Sequence, residues 1–313
     1  MKVLVFPGQG SQKIGMGHSL YKNYDVAKEV FDEVDDALDF KLSNLIFEGD
    51  LEELSLTSNT QPALMVVSIA VLKVLQKLTT QNIDNLFDFA CGHSLGEFTA
   101  LCASGVISLN TTSKLLRIRG KAMQEAVPKG EGAMAALISK DFGRLQDLLS
   151  EVDSLGKCQI ANDNSSEQIV VSGNANAVKK LVEIASEFSI KKSVMLNVSA
   201  PFHCDLMQPA QDKLQLELDR INFSKPLIPI ICNYNALPES DPINLKKNII
   251  QQVTNKVRWR ETMNFVKNKN VKKIVELGSG KVLTGIAKRM SSDVDCFQLE
   301  TKEDLEENLY KFD

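Results

Sequence analysis

The chain lacks an excess of positive charge. Its 36 lysines and arginines are outnumbered by 40 aspartates and glutamates, which gives a formal net charge of −4 and a pI near 5.6. Proteins that bind nucleic acid neutralise phosphates with a basic surface, so we expect no nucleic-acid partner. Histidine is also scarce, with 3 residues among 313. Any site that needs an imidazole base therefore has few candidates.

The sequence also lacks the cysteine spacings of metal and disulfide sites. None of the six cysteines forms a C-x-x-C pair, and no histidine stands at a metal-ligand distance from them along the chain. Most of these cysteines lie in apolar runs, which is typical of reduced, buried thiols. We therefore expect no metal site and a reducing compartment.

No apolar stretch reaches the roughly 20 residues that a membrane-spanning helix needs. The richest segment, 63–78, is interrupted by Lys73 and Gln76, and the apolar run at 3–6 is too short for a signal peptide. The sequence therefore predicts a cytoplasmic protein with no membrane partner.

Short apolar runs alternate with longer segments of helical spacing. Such an alternation predicts an α/β fold whose mostly parallel sheet is covered on both faces. The runs predicted as strands are 2–6, 86–91, 227–232 and 273–277, and the predicted helices include 20–38, 61–78, 96–103 and 111–126.

The pattern changes near residue 130. Segments 132–138, 142–150, 159–162, 168–172, 175–187 and 193–196 follow the order β-α-β-β-α-β, which is that of a ferredoxin-like unit. We therefore expect a large α/β catalytic subdomain formed by residues 1–127 and 198–313. A small ferredoxin-like subdomain at 128–197 would be inserted into it.

The sharpest chemical signal is the pentapeptide Gly92-His93-Ser94-Leu95-Gly96, a G-x-S-x-G motif. It follows a predicted strand and opens a predicted helix, which is the setting of a nucleophile elbow. Its two glycines allow a turn so tight that a side chain at either position would clash with neighbouring backbone. The helix N-terminus behind the serine favours developing negative charge.

A serine nucleophile needs a base, and the candidates are His18, His93 and His203. The side chain of His93 should point away from its neighbour Ser94 and support the elbow. We expect His18 to lie at the surface. His203 stands in a loop where the inserted unit returns to the main domain, and the order serine then histidine is that of other elbow enzymes. A structural role for His203 stays open on these grounds.

Two glycine-rich segments do not match phosphate-binding motifs. The loop 7–12 after the first strand has Lys13 where a dinucleotide fingerprint needs glycine, and 278–281 is followed by Val282 where a P-loop needs Ser or Thr. The first loop is well placed to supply a backbone N–H to an oxyanion. Arg117 and Arg119 lie about 200° apart on one predicted helix, so at most one can face a site.

Four motifs in this order resemble the malonyl-CoA:acyl carrier protein transacylases of bacterial fatty acid synthesis. They are Phe6-Pro-Gly-Gln-Gly-Ser-Gln12, Gly92-His-Ser-Leu-Gly-Glu97, Arg119-Gly120 and Ser199-Ala-Pro-Phe-His203. The resemblance spans essentially the whole chain. It implies a hydrolase-like α/β core with an inserted ferredoxin-like subdomain.

The resemblance also implies the role of each residue. Ser94 would be the nucleophile, and His203 would act as general base and then as general acid. The backbone N–H groups of Gln9 and Leu95 would form the oxyanion hole. Arg119 would pair with the free carboxylate of the malonyl group.

Further residues would support the site. The resemblance assigns to Arg258 the backbone carbonyl that orients the histidine, although Lys256 stands where the family often has proline, and it places Asn162 near that histidine. Phe202 resembles malonyl-selective members, because its bulk would disfavour branched acyl groups. One methyl group is worth about 1–3 kcal/mol of such discrimination.

A ping-pong cycle follows from this assignment. The expected partners are malonyl-CoA and an acyl carrier protein that brings its own phosphopantetheine, so no cofactor is expected, and the enzyme should be a monomer. A face with Lys267, Lys269, Lys272, Lys273, Lys281, Lys288 and Arg289 could bind the acidic carrier, or could be ordinary solvated surface. A serine hydrolase and a non-catalytic carrier-binding protein are the alternatives.

Overall fold

The computed structural model describes residues 1–198, 200–290 and 293–312. Its strands, β1 to β10, are Lys2–Phe6, Phe89–Gly92, Gly132–Ile138, Cys158–Ser165, Gln168–Asn174, Lys192–Met195, Ile230–Ile231, Pro238–Glu239, Lys273–Leu277 and Asp295–Leu299.

Helices cover both faces of the larger sheet. The helices α1 to α15 are His18–Asn23, Asp25–Leu38, Leu42–Glu48, Leu51–Ser55, Thr57–Thr79, Ile83–Leu86, Leu95–Ala103, Leu109–Glu125, Leu145–Ser150, Ala175–Ile184, Gln208–Asp219, Pro242–Gln251, Trp259–Asn268, Val282–Met290 and Lys302–Asn308. Short 3₁₀ turns lie at Asp153–Leu155, Ala185–Phe188, Asp205–Met207 and Leu309–Phe312.

The larger sheet has the strand order β10-β9-β1-β2-β7-β8. Every neighbouring pair is parallel except β7 with β8, so the predicted α/β fold with a mostly parallel sheet is confirmed. The central strand β1 is buried along almost its whole length, which explains its continuous apolar run. The β1 and β2 strands end side by side, with Phe6 opposite Gly92.

A second, antiparallel sheet has the order β4-β5-β3-β6. Its elements follow one another as β3-α9-β4-β5-α10-β6, and it has a hydrophobic core of its own around Leu137, Val171 and Leu181. The strand β4 runs to Ser165, past the predicted end at residue 162, and contains irregularities between Ile160 and Asn162 and again after Asp163.

The strand β4 joins the two sheets. The N–H of Asp163 donates to the carbonyl of Val257, and the N–H of Val257 donates to the carbonyl of Ala161. The carboxylate of Asp163, almost fully buried, accepts from the Arg260 guanidinium at 2.8 Å. The smaller sheet is therefore fixed against the larger one close to Asn162.

One described helix, α5, is long and apolar enough to cross a membrane by length and composition alone. In this structure 72% of its apolar window is buried inside the protein. Its side chains pack in the largest hydrophobic cluster, together with those of α2 and α8. A buried core helix accounts for these properties.

Several elements differ from the prediction. The single helix expected at 20–38 is divided at Tyr24, which takes an extended conformation with φ −135°. The helix expected at 61–78 begins earlier, at Thr57. The strand β10 and the helix α15 were not predicted, although Thr301 and Asp304 form a capping box at the start of α15.

Candidate active site

The turn between β2 and α7 has no room for side chains at its two glycines. A Cβ added at Gly92 would overlap the backbone of Gly96, and one added at Gly96 would overlap the carbonyl of Phe6. Between them, Ser94 has φ 54° and ψ −109°, a conformation that L-residues rarely adopt. The predicted strand-turn-helix setting of Ser94 is confirmed.

Two side chains that the sequence analysis missed hold the backbone of Ser94 in this conformation. The Oδ1 of Asn233 accepts from the N–H of Ser94 at 2.8 Å, and its Nδ2 donates to the carbonyl of Gly92 at 2.8 Å. The Nε2 of Gln252 donates to the carbonyl of Ser94 at 2.9 Å. Both residues follow other elements of the fold, β7 and α12, and no motif marks them.

The imidazole of His203 lies beside the serine. Its Nε2 is 2.8 Å from Ser94 Oγ, and its Nδ1 is 2.9 Å from the backbone carbonyl of Gln252. Because a carbonyl only accepts, Nδ1 carries the proton and Nε2 is the free base that faces the hydroxyl. The structure thus brings together the two residues that the sequence selected.

The assignment of the orienting carbonyl to Arg258 is wrong, because that carbonyl belongs to Gln252. The backbone N–H of Arg258 donates to the carbonyl of Asn233, and its Nε donates to the carbonyl of Tyr234. The preceding residue, Val257, forms a β-bridge and backbone hydrogen bonds with Asn162 and its neighbours in β4. The backbone carbonyl that bonds His203 therefore lies directly after α12, six residues before Arg258.

Arg119 is the arginine of its helix that faces the site, and it is almost completely buried. Its Nη2 donates to Ser94 Oγ at 3.1 Å and to Gln252 Oε1 at 3.0 Å, and its Nη1 donates to Gln61 Oε1 at 2.8 Å. Its Nε is buried without a hydrogen-bond partner among the described residues. Arg117 instead lies over the ring of Phe40.

The surroundings of the site shift the pKa values of its two ionisable side chains, Arg119 and His203. Burial lowers the pKa of Arg119 to about 10, so the guanidinium remains charged near neutral pH. Burial, and then the charge of Arg119, lower the pKa of His203 to about 3. The histidine is therefore neutral, as a base must be, across the physiological range.

A cleft of about 390 Å³ opens in front of this group, between the two sheets. The core contributes Gln9, Ser94, Leu95, Arg119, Phe202 and His203 to its lining, and the smaller sheet contributes Met134 and Asn162. The Oδ1 of Asn162 is buried without a partner among the described residues. A larger groove of about 1070 Å³, lined in part by Ile69, Leu72 and Lys73 of α5, contains neither Ser94 nor His203.

The two predicted oxyanion donors both line this cleft. Leu95 is the first residue of α7, so its N–H has no acceptor within the helix. Gln9 lies in the loop after β1, and its side chain reaches Thr57 Oγ1 at 3.5 Å. Their positions agree with an oxyanion hole, which stays a prediction.

His93 points away from Ser94, as expected. Its Nε2 is 2.9 Å from Asn164 Oδ1, its ring packs against Trp259, and burial lowers its pKa. His18 stacks on Phe47 and is only partly exposed. Ser199, which opens the fourth motif, lies outside the described residues.

Within the described part of the chain, no group of three or more His, Cys, Asp or Glu side chains is arranged to hold a metal ion. All six cysteines are free thiols, and five of them are buried. Burial raises the pKa of Cys91 and Cys102, which makes both thiols poor nucleophiles at neutral pH.

An α/β fold with a serine elbow, a neutral histidine and a buried arginine in one cleft is typical of enzymes that act on acyl groups. Residues 3–298 match the family model of the acyl transferase domain. The chain belongs to the acyl transferase family and, within it, to the malonyl CoA-acyl carrier protein transacylases. The resemblance inferred from the four motifs is confirmed.

Similar proteins match along almost the whole chain. The malonyl CoA-acyl carrier protein transacylase of Bacillus subtilis is 43% identical over 303 residues, which are 96% of this chain and 94% of that protein. The crystal structure of the acyl-carrier-protein-S-malonyltransferase from Bartonella henselae is 49% identical with a TM-score of 0.96, and 99% of each chain is covered. A malonyl-transacylase in complex with a type II PKS acyl-carrier protein is 35% identical with a TM-score of 0.94, again over 99% of each chain.

The lowered pKa of His203 predicts an unusual pH dependence. A histidine with an ordinary pKa of about 6.5 loses about tenfold in base activity for each pH unit below that value. Because the pKa of His203 is about 3, we expect the rate of Ser94 labelling by a fluorophosphonate probe to fall little between pH 7 and pH 5. The rate is measured from the growth of the labelled species in the intact-protein mass over time.

Two controls accompany that measurement. Ser94→Ala should give no adduct. The lowered pKa of His203 also means that this group binds fewer protons in the folded state than in the unfolded one, so its contribution to stability is lost as pH falls below about 6.5, whereas the raised pKa of Glu97 acts in the opposite direction. Circular dichroism at each pH shows that the fold persists. A labelling rate that halves near pH 6.5 in folded protein would contradict the assignment.

Proposed function

We propose that this enzyme transfers a malonyl group from malonyl-CoA to the phosphopantetheine thiol of an acyl carrier protein, through an ester at Ser94. The observation that carries the proposal is the contact between Arg119 and Ser94. A buried guanidinium donates to the nucleophile's own oxygen at 3.1 Å, and its Nε has no partner among the described residues. An acyl group that carries a carboxylate would satisfy this cation.

The first half-reaction uses the observed tautomer. His203 Nε2 accepts the Ser94 proton as Oγ attacks the thioester carbonyl, and the proton on Nδ1 stays bonded to the Gln252 carbonyl. The developing oxyanion would be bound by the N–H groups of Gln9 and Leu95. The C–S bond then breaks, and His203 returns the proton to the departing CoA thiolate.

The second half-reaction reverses these steps with a different thiol. The carrier's phosphopantetheine thiol gives its proton to His203 and attacks the Ser94 ester, and the serine leaves as the hydroxyl. Arg119 would hold the malonyl carboxylate in both halves. All the bonds made and broken belong to the serine, the acyl group and the two thiols, so the cycle is expected to need no cofactor or metal.

The expected partners follow from this reaction. A related malonyl-transacylase forms a complex with an acyl-carrier protein, which supports a carrier of the same kind here. We further infer a cytoplasmic monomer that binds neither nucleic acid nor membrane, in line with its net charge of −4 and the buried position of α5.

We also infer the division into subdomains. Residues 1–127 and 198–313 would form the hydrolase-like catalytic core, and 128–197 the inserted ferredoxin-like subdomain. The separate antiparallel sheet and its separate hydrophobic core support this division. The insertion would cover the cleft with Met134 and Asn162 and restrict the access of water to the ester.

We place carrier docking on α14 rather than on the whole basic face. Val282, Leu283 and Ile286 line a second cleft of about 220 Å³, which shares Gln9 and His93 with the catalytic one. The exposed side chains of Lys281, Lys288 and Arg289 lie on or next to this helix. Lys273 instead is the first residue of β9 and donates to the carbonyl of Lys311.

The first experiment is intact-protein mass after addition of malonyl-CoA. We expect one malonyl adduct on the wild-type enzyme and none on Ser94→Ala, because the ester forms at that hydroxyl. Addition of phosphopantetheinylated carrier should remove the adduct and add the same mass to the carrier. Absence of an adduct, with malonyl-CoA unconsumed, would refute the malonyl donor.

The second experiment tests the docking helix. We expect the Lys288→Ala/Arg289→Ala double variant to raise the KM for carrier by about 5- to 20-fold, because charge complementarity acts mainly on encounter and orientation. Loading from malonyl-CoA alone should be unchanged. The matched control is Lys267→Ala/Lys269→Ala, on the neighbouring helix α13 and its end. Equal effects of the two double variants would contradict docking on α14.

A further inference from the structure

The side chain of Gln252 is fully buried and bonded at both ends of its amide. Its Oε1 accepts from Arg119 Nη2 at 3.0 Å. Its Nε2 donates to the carbonyl of Ser94 at 2.9 Å and to Glu97 Oε2 at 2.8 Å. These contacts are separate from the backbone carbonyl of Gln252, which orients His203.

Glu97 lies beneath the nucleophile in the first turn of α7 and is almost fully buried. Besides Gln252, its Oε2 accepts from the backbone N–H of Asn233 at 2.9 Å. Burial raises the pKa of Glu97 to about 7, although these donors and the charge of Arg119 oppose the shift. The reaction described above uses no proton or charge from this carboxylate.

The ionised carboxylate of Glu97 and the carbonyl of Ser94 together determine which way the amide of Gln252 points. A carboxylate accepts hydrogen bonds and donates none, so the amide must turn its NH₂ toward Glu97 and its oxygen toward Arg119. A flipped amide would place its NH₂ against the guanidinium and its oxygen against the carboxylate. Both contacts would be repulsive, and an unmade hydrogen bond is costly among side chains as deeply buried as these.

Arg119 is held in place by this oriented amide. The oxygens of Gln252 and Gln61 accept from its two terminal nitrogens and direct the guanidinium toward Ser94 Oγ. A long, charged side chain without such acceptors would lose much of its fixed geometry, because several rotamers are open to it.

We propose that the side chain of Gln252, oriented by Glu97, is a positioning residue that sets Arg119 for the carboxylate of the acyl group and so selects malonyl over acyl groups that lack a carboxylate. This inference rests on the proposed function. It gives Gln252 two kinds of role. Its backbone carbonyl, through His203, and its amide nitrogen, through the carbonyl of Ser94, serve every acyl donor, whereas its amide oxygen serves donors with a carboxylate through Arg119.

The test compares malonyl-CoA with acetyl-CoA as donors in the loading half-reaction, at a pH well above 7 so that Glu97 is ionised. Gln252→Leu keeps the backbone carbonyl and removes the amide. We expect kcat/KM for malonyl-CoA to fall about 10- to 100-fold, mainly through KM, because a misplaced Arg119 forfeits a charge-assisted contact. Acetyl-CoA, which has no carboxylate, should also lose activity, because the bond from the amide to the Ser94 carbonyl is removed, but its kcat/KM should fall about 3- to 10-fold less than that of malonyl-CoA.

Glu97→Gln is a second test variant, and it preserves the volume of the side chain. We expect it to shift the malonyl-to-acetyl ratio in the same direction, by about 3- to 10-fold, because the amide of Gln252 then keeps the Ser94 carbonyl but loses the carboxylate, the stronger of the two groups that only accept. Asp35→Asn is the matched control. This buried carboxylate accepts from Ser43 N at 2.9 Å and Ser43 Oγ at 2.6 Å, away from the cleft, and its loss should leave the ratio unchanged.

The outcomes separate this inference from the proposed function. Equal losses for the two donors, or an unchanged ratio in both Gln252→Leu and Glu97→Gln, would overturn the positioning role while Arg119→Ala still shifts the ratio. An unchanged ratio in Arg119→Ala would refute the carboxylate role of Arg119 itself, and the inference would fail with it.

Discussion

The site depends on the close approach of three backbones. The first turn of α7 lies so near to β1 and β2 that only glycine fits at positions 92 and 96. This contact forces Ser94 into a strained conformation and directs its hydroxyl into the cleft. Asn233 and Gln252 offset the strain by bonding the N–H and the carbonyl of the serine. Ser94 is thus held by β1, β2 and the residues that follow β7 and α12, and not only by its own loop.

The electrostatics of the cleft follow from placing a cation beside a base. Arg119 disfavours a second positive charge and thereby helps to keep His203 neutral. The same guanidinium, buried and incompletely bonded, favours an anionic acyl group. One residue would therefore both keep the base neutral and recognise the substrate. Glu97, when ionised, balances the charge of Arg119 without contacting it, because the amide of Gln252 bonds both groups.

The sequence predicted local features better than distant ones. The alternation of strands and helices, the elbow at Ser94 and the choice of His203 follow from patterns within short segments. Asn233 and Gln252 were missed because they are single polar residues after β7 and α12, and only tertiary packing brings them beneath the elbow. The Arg258 assignment failed for a related reason: Val257 and Arg258 are bonded to β4 and to the loop after β7, so their carbonyls do not reach the histidine.

The central claim is that the cleft passes its acyl group to a thiol and not to water. The most direct test isolates the malonylated enzyme and measures, in a single turnover, how the ester divides between a phosphopantetheinylated carrier protein and hydrolysis. Because Arg119 would hold the carboxylate and the smaller sheet would cover the ester, we expect transfer to exceed hydrolysis by at least about 100-fold. Release of free malonate as the main product, at the same rate with and without carrier, would contradict the account and identify a hydrolase.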